Sequence, residues 1–176
     1  MNNYNTSLIL IGMPASGKST IGELLATSLK KDFIDTDRLI EQRHQKTLQN
    51  IVDAQGYAAL REIEEHALLN TIYPNHVIAT GGSAVYSPKA MSHLKHFGLI
   101  VFLDVELPEL ENRLHNFNSR GLARRPDQTL ADLFAERRPL YQEYADIIIK
   151  CADKTQEQII DEIIGEESES YSEMDA

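Results

Sequence analysis

Eight consecutive residues, Gly12-Met13-Pro14-Ala15-Ser16-Gly17-Lys18-Ser19, fit the pattern G-x-x-x-x-G-K-[ST] in full. The chemistry such a loop can do is phosphate binding. Its glycines let the backbone curl so that successive N–H groups point inward at phosphate oxygens, and the helix that follows adds the positive end of its dipole. Lys18 is placed to reach the β- and γ-phosphates, and the Ser19 hydroxyl to bind Mg²⁺. The residues expected to surround a nucleoside triphosphate are therefore Ala15, Ser16, Gly17, Lys18, Ser19 and Thr20. Two acids, Asp35 and Asp37, follow a short apolar segment. As a strand end, its periodicity sends both to one side. Acids at the carboxyl end of a strand in an open α/β sheet lie at the ligand crevice. One can support Mg²⁺ through its waters, and the other can accept a hydrogen bond from a substrate hydroxyl. Asp37 reads equally well as a helix N-cap. Arg61 and Glu64 lie three apart on a helical segment and share a face, which on its own describes a surface ion pair.

These groups need elements to hold them. Ser7–Gly12 is a short apolar run before the loop, and Ser19–Lys30 carries apolar residues at helical spacing. Phe33–Asp37, His76–Thr80, Gly98–Leu103 and Asp146–Lys150 read as further strands. Helical patterns occupy Arg38–Lys46, Leu48–Val52, Tyr57–Thr71, Pro88–His96, Leu107–His115, Thr129–Tyr144 with a break at Pro139, and Thr155–Ile164. Gly56 ends the pattern at Leu48–Val52. Five short apolar strands alternating with helices imply an α/β fold, with a parallel sheet covered on both faces.

The motifs GMPASGKST, FIDTD, GYAALREIE, VIATGG and ERRPLYQEYADIII occur in this order. Together they resemble the shikimate kinase family, over about residues 7–165. The resemblance implies a three-layer P-loop kinase fold and transfer of phosphate from ATP, with Mg²⁺, to the 3-hydroxyl of shikimate. It also implies roles by position. Asp35 would lie near Mg²⁺ with Ser19, and Asp37 would bind the acceptor hydroxyls. Arg61 and Arg137 would hold the acceptor carboxylate, a task suited to a rigid guanidinium fork. Gly81 and Gly82 would let backbone approach the acceptor ring, and Arg113 would lie against the adenine. The segment 116–128 would be a lid that closes over ATP.

The chain departs from the family pattern twice. Gly81-Gly82-Ser83 stands where three glycines are usual, so Ser83 would be strained if that position needed a positive φ. In the lid, Arg120 lies seven residues after Arg113 and seventeen before Arg137, whereas Arg125-Pro126 carries the usual dipeptide but lies twelve before Arg137. Spacing selects Arg120 as the lid arginine that works with Lys18 and Asp37, with Arg124 or Arg125 as the alternatives.

A rival reading is a kinase of the same fold acting on another hydroxylated acid such as gluconate, which need not keep two carboxylate-holding arginines. A second is a regulatory module that binds ATP without turnover. Leu99–Asp104 looks like a Walker B strand, but the family resemblance makes Asp104 a loop or cap acid. None of the six histidines falls in a metal-ligand pattern. Cys151 is the single cysteine and reads as a semi-buried small hydrophobe.

The 176 residues suit one domain, residues 1–165. The segment from Gly165 to Ala176 holds five acids and no base and reads as a solvated, mobile tail from 166 on. With 17 Lys+Arg against 27 Asp+Glu, the net charge of −10 argues against nonspecific nucleic-acid binding. No apolar run approaches the roughly 20 residues that span a bilayer. Neither a signal peptide nor a disulfide framework is legible, so the cytoplasm is the default compartment and a monomer is expected.

Overall fold

A computed structural model describes residues 7–115 and 121–174. Five strands, β1 (Ser7–Ile11), β2 (Asp32–Asp35), β3 (His76–Ala79), β4 (Gly98–Asp104) and β5 (Ile147–Lys150), form one sheet in the order β2-β3-β1-β4-β5. Every pairing is parallel, as the alternation with helices predicts. β1 is buried at all five positions because it lies at the centre of the sheet, and its apolar run reflects that. β5 is an edge strand and alternates, with Ile148 left exposed.

Among the described residues seven α-helices connect and cover the strands: α1 (Lys18–Leu29), α2 (Thr36–His44), α3 (Leu48–Leu69), α4 (Pro88–Lys95), α5 (Leu107–Arg113), α6 (Leu130–Tyr144) and α7 (Gln156–Met174). α1 packs on β1, β2 and β3 and against α7, while α4 and α6 pack on β4. The main core gathers β1, β3 and β4 with the inner faces of these helices. A smaller core of Ile40, Ile51, Leu60, Ala67 and Ala123 fastens α2 and α3 to one another and to the segment after residue 120. This second cluster fixes where Arg61 stands, one residue after the fully buried Leu60.

Several local expectations change. The Phe33–Asp37 strand stops at Asp35, and Asp37 lies in the first turn of α2. Asp35 is therefore the cap: its Oδ1 accepts from the backbone N–H groups of Asp37 (3.0 Å) and Arg38 (3.2 Å). Pro139 sits within a continuous α6 rather than breaking it. α3 joins two predicted helices across Gly56, whose φ of 85° takes the backbone out of helical geometry for one residue. The acidic C-terminal segment continues α7 as far as Met174, in place of an irregular end. Glu167 is 8% exposed there and lies 3.7 Å from Lys31, so one acid of that segment serves to dock the helix.

Ser83 has φ −95° and ψ 1°, ordinary backbone for an L-residue, so the strain considered for a third non-glycine position is not present.

Candidate active site

The chain leaves β1, places β2 two positions to one side, fills β3 between them, then crosses β1 to form β4. The order reverses beside β1, and the crevice at the carboxyl ends of strands at such a point is where open α/β sheets bind ligands. A cavity of about 620 Å³ opens there, lined by the loop 14–21, Asp35, Asp37, Glu64, Gly82, Ser83, Arg113 and Arg137.

The loop after β1 takes the conformation its glycines allow. Gly12 has φ 149° and Gly17 φ 96°, and Ala15 between them is also left-handed at φ 65°. A Cβ at Gly12 would meet the Leu103 carbonyl at 2.9 Å, so only glycine fits. Lys18 is 8% exposed, and its Nζ donates to the Gly12 (2.9 Å) and Met13 (2.8 Å) carbonyls. This holds the ammonium over the centre of the loop. Arg113, at the end of α5, donates from Nη1 to the Ala15 carbonyl at 3.3 Å and from Nε to Glu109 at 2.8 Å. Cys151 and Lys154, after β5, line the same end of the cavity. Burial pushes the Cys151 thiol up to about 11, so it is a packed thiol rather than a nucleophile.

Ser19 Oγ donates to Asp35 Oδ2 at 2.5 Å. One carboxylate thus caps α2 with one oxygen and meets the loop hydroxyl with the other. This hydroxyl and carboxylate are hard oxygen donors beside the phosphate loop, a set that fits Mg²⁺. Among the described residues no cluster of three or more His, Cys, Asp or Glu side chains forms. An ion that draws most of its shell from phosphate and water needs no such cluster.

The opposite wall is built by α2, α3, α6 and the Gly-Gly turn. Asp37 Oδ1 and Glu64 Oε1 close on Gly81 from two helices, each 2.7 Å from where a Cβ on that residue would stand. A side chain at Gly81 is excluded by two carboxyl groups. A Cβ at Gly82 would lie 2.9 Å from Arg137 Nη1 and 3.1 Å from Pro14. Gly82 is thus the point where the phosphate loop, the turn and the Arg137 guanidinium meet. Its carbonyl accepts from Tyr141 at 2.5 Å.

Arg61 and Arg137 converge. Both donate to the Ala123 carbonyl, Arg61 from Nε (3.3 Å) and Nη2 (3.2 Å), and Arg137 from Nη2 (3.0 Å). The Arg61 guanidinium also stacks 3.7 Å over the Tyr86 ring, and Arg137 Nε donates to the Tyr86 hydroxyl at 3.2 Å. Tyr86 in turn bonds Glu136. Two guanidinium groups held by one aromatic ring and aimed at one oxygen have the geometry to bind an anion. The surface ion pair that spacing alone suggested for Arg61 and Glu64 is absent among the described contacts, because Glu64 is 7% exposed and turned inward. Burial raises the Glu64 carboxyl to about 8, and the neighbouring Asp37 adds to the rise against the opposing pull of Arg137, Arg61 and Lys18. The R-x-x-E spacing signalled this group but not its burial.

Arg120 lies outside the described residues. Arg125 pairs with Glu136 at 3.4 Å with half its side chain exposed, and Arg124 bonds carbonyls of its own segment, including Gln128 at 2.9 Å. Asp104 is not a loop acid: its side chain is 3% exposed and takes a two-pronged hydrogen bond from Arg138, Nε to Oδ1 at 3.0 Å and Nη2 to Oδ2 at 2.8 Å. Tyr86 carried no sequence signal, since its partners come from α3 and α6.

Relatives share this arrangement of chain. The family model described as shikimate kinase matches residues 14–166. A shikimate kinase of Rippkaea orientalis is 40% identical over 161 residues, covering 90% of this chain and 86% of the relative. The solved shikimate kinase of Acinetobacter baumannii in complex with shikimate superposes with a TM-score of 0.81 at 29% identity, covering 90% of each chain. A gluconokinase of Sinorhizobium meliloti, at 17% identity and TM-score 0.54 over 98% of this chain and 97% of that one, shares the fold alone. A phosphate loop facing two convergent arginines across one crevice, and a family match running through both walls, place this chain in the shikimate kinase family.

Proposed function

We propose that the chain transfers the γ-phosphoryl group of ATP to the 3-hydroxyl of shikimate, giving ADP and shikimate 3-phosphate. The observation that carries this reading is the convergence of Arg61 and Arg137 on one oxygen, in the same crevice as the phosphate loop. A hydroxylated acid bound by its carboxylate to that pair lies between the guanidinium groups and the loop. The curated relatives and the A. baumannii complex support shikimate as that acid.

Phosphoryl transfer asks a protein mainly for alignment and charge neutralisation. The loop N–H groups and Lys18 offset charge on the β- and γ-phosphates. Ser19 and Asp35 would hold Mg²⁺, which would supply further neutralisation of phosphate charge. Asp37, on the first turn of α2, orients the attacking hydroxyl and takes its proton as the O–P bond forms. An ionised aspartate is a weak base, so its larger contribution is position. Arg113 packs the nucleotide base. As the family resemblance implies, Arg120 would meet the transferring group. No helix among the described residues is long and apolar enough to cross a membrane. A net charge of −10 suits ATP and a small acid, bound by a local cluster of donors, better than nucleic acid; a monomer in the cytoplasm is part of the same proposal.

The test is ADP release measured with Mg²⁺ and ATP against shikimate, quinate, gluconate and no acceptor, with and without a chelator. Shikimate-dependent, chelator-sensitive ADP release is expected, and Lys18→Ala abolishes it while the circular dichroism spectrum is retained. Turnover of gluconate and not shikimate replaces the acceptor. ATP binding with no transfer to any acid favours a regulatory module.

A further inference from the structure

The hydroxyls around the Gly-Gly turn are committed, with one exception. Thr80 Oγ1 donates to the Leu10 carbonyl at 2.9 Å, and Thr36 Oγ1 accepts from the Gly81 N–H at 3.2 Å. Ser87 Oγ bonds Glu65 and accepts from the Ala90 N–H, capping α4. Ser83 stands at the start of a 3₁₀ turn (Ala84–Tyr86), a position where serine ordinarily caps, yet its side chain makes no capping bond. Ser83 is 5% exposed, and among the described residues its Oγ has no hydrogen-bond partner. Buried hydroxyls are nearly always bonded, and a side chain that is not calls for a reason.

The place of Ser83 supplies one. It lines the crevice next to Gly82, the residue pressed between Pro14 of the phosphate loop and Arg137 Nη1. Gly81 and Gly82 present only backbone, so Ser83 carries the side-chain hydroxyl of this turn that no described protein group engages. A serine hydroxyl has three staggered χ1 wells and both donates and accepts, so it can turn toward a ligand without backbone movement. We propose that Ser83 Oγ hydrogen-bonds the bound hydroxy acid at the Arg137 end of the crevice, and is a specificity-determining contact beyond Arg61, Arg137 and Asp37. This rests on the crevice being the acceptor site of a hydroxy-acid kinase.

Ser83→Ala and Ser83→Gly test it, with the KM for the acid, the KM for ATP, kcat and Tm measured for each. Loss of one hydrogen bond predicts a two- to tenfold higher KM for shikimate in both variants, with the ATP KM unchanged. The Tm of Ser83→Ala is expected at or above wild type, because removing a buried unbonded hydroxyl relieves a desolvation cost. An unchanged shikimate KM in variants that melt like wild type overturns the proposal, as does an ATP KM that rises in step. Wild-type protein that turns over quinate or gluconate but not shikimate rejects the acceptor assignment alone, and the same variant ratios are then read on that acid. Wild-type protein that phosphorylates none of the three acids overturns both.

Discussion

Arg137→Lys separates the shape of a guanidinium from its charge. Arg137 is 1% exposed and uses its fork in three directions: Nε to the Tyr86 hydroxyl at 3.2 Å, Nη2 to the Ala123 carbonyl at 3.0 Å, and Nη1 toward Gly82 and the crevice. Truncation to alanine is a poor probe, because removing one partner of a buried charge network costs about 3–5 kcal/mol of stability. Lysine keeps the positive charge beside Glu64 but has one nitrogen where arginine has three. It cannot bond Tyr86, Ala123 and an acceptor carboxylate together. The expected loss is one charge-assisted hydrogen bond to the acceptor, about 1.5–3 kcal/mol, which is roughly a 10- to 150-fold rise in shikimate KM. The ATP KM should stay within about twofold, since Arg137 contributes to the acceptor wall. Steady-state kinetics with each substrate varied in turn, on protein checked by thermal melting, measures both. A shikimate KM within twofold of wild type in a folded variant refutes the role. Equal weakening of both substrates shows that Arg137 only supports the fold of the crevice.

Three further outcomes are expected. Glu64, at about 8 when folded against an ordinary value near 4.5, binds more protons in the native state across that interval. Its contribution to stability is therefore present at pH 4.5 and lost as pH rises toward 8. Glu64→Gln should flatten the fall in Tm over that window and remove any rise in acceptor KM near pH 8, and an unchanged pH profile refutes the assignment. Arg138→Ala leaves Asp104 buried without its two-pronged partner. It should cost about 1.5–3 kcal/mol, a Tm drop of roughly 3–12 °C, with kinetic constants at 25 °C near wild type. Arg120→Ala should lower kcat far more than ATP affinity, and Arg125→Ala, which disturbs a half-exposed pair with Glu136, should do less; the reverse ranking makes Arg125 the lid arginine.

The residues themselves determine the phosphate loop, the alternation of strands and helices, and hence a parallel sheet with a ligand crevice at its carboxyl edge. Those readings come from local chemistry: glycines at positions that need left-handed backbone, a lysine and serine at fixed offsets, and apolar periods of strand and helix. Asp35, Asp37 and Arg61 stand out by the same means, whereas Arg137 enters only through the resemblance to the shikimate kinase family. What each of them does was decided by distance in space. Asp35 and Asp37 are two residues apart in the chain, yet one caps a helix and meets Ser19 while the other faces Glu64 across Gly81. No strand period encodes that, because the helix begins between them. Arg61 and Arg137 are brought to the same carbonyl by packing of α3 and α6 around Tyr86, a residue with no motif of its own. The inward turn of Glu64 and the burial of Asp104 follow from which face of a helix or strand end meets the core, and the continuation of α7 through the acidic segment follows from the docking of Glu167 on Lys31. In each case the carboxyl group's own charge favoured solvent, and contacts with distant parts of the chain outweighed it.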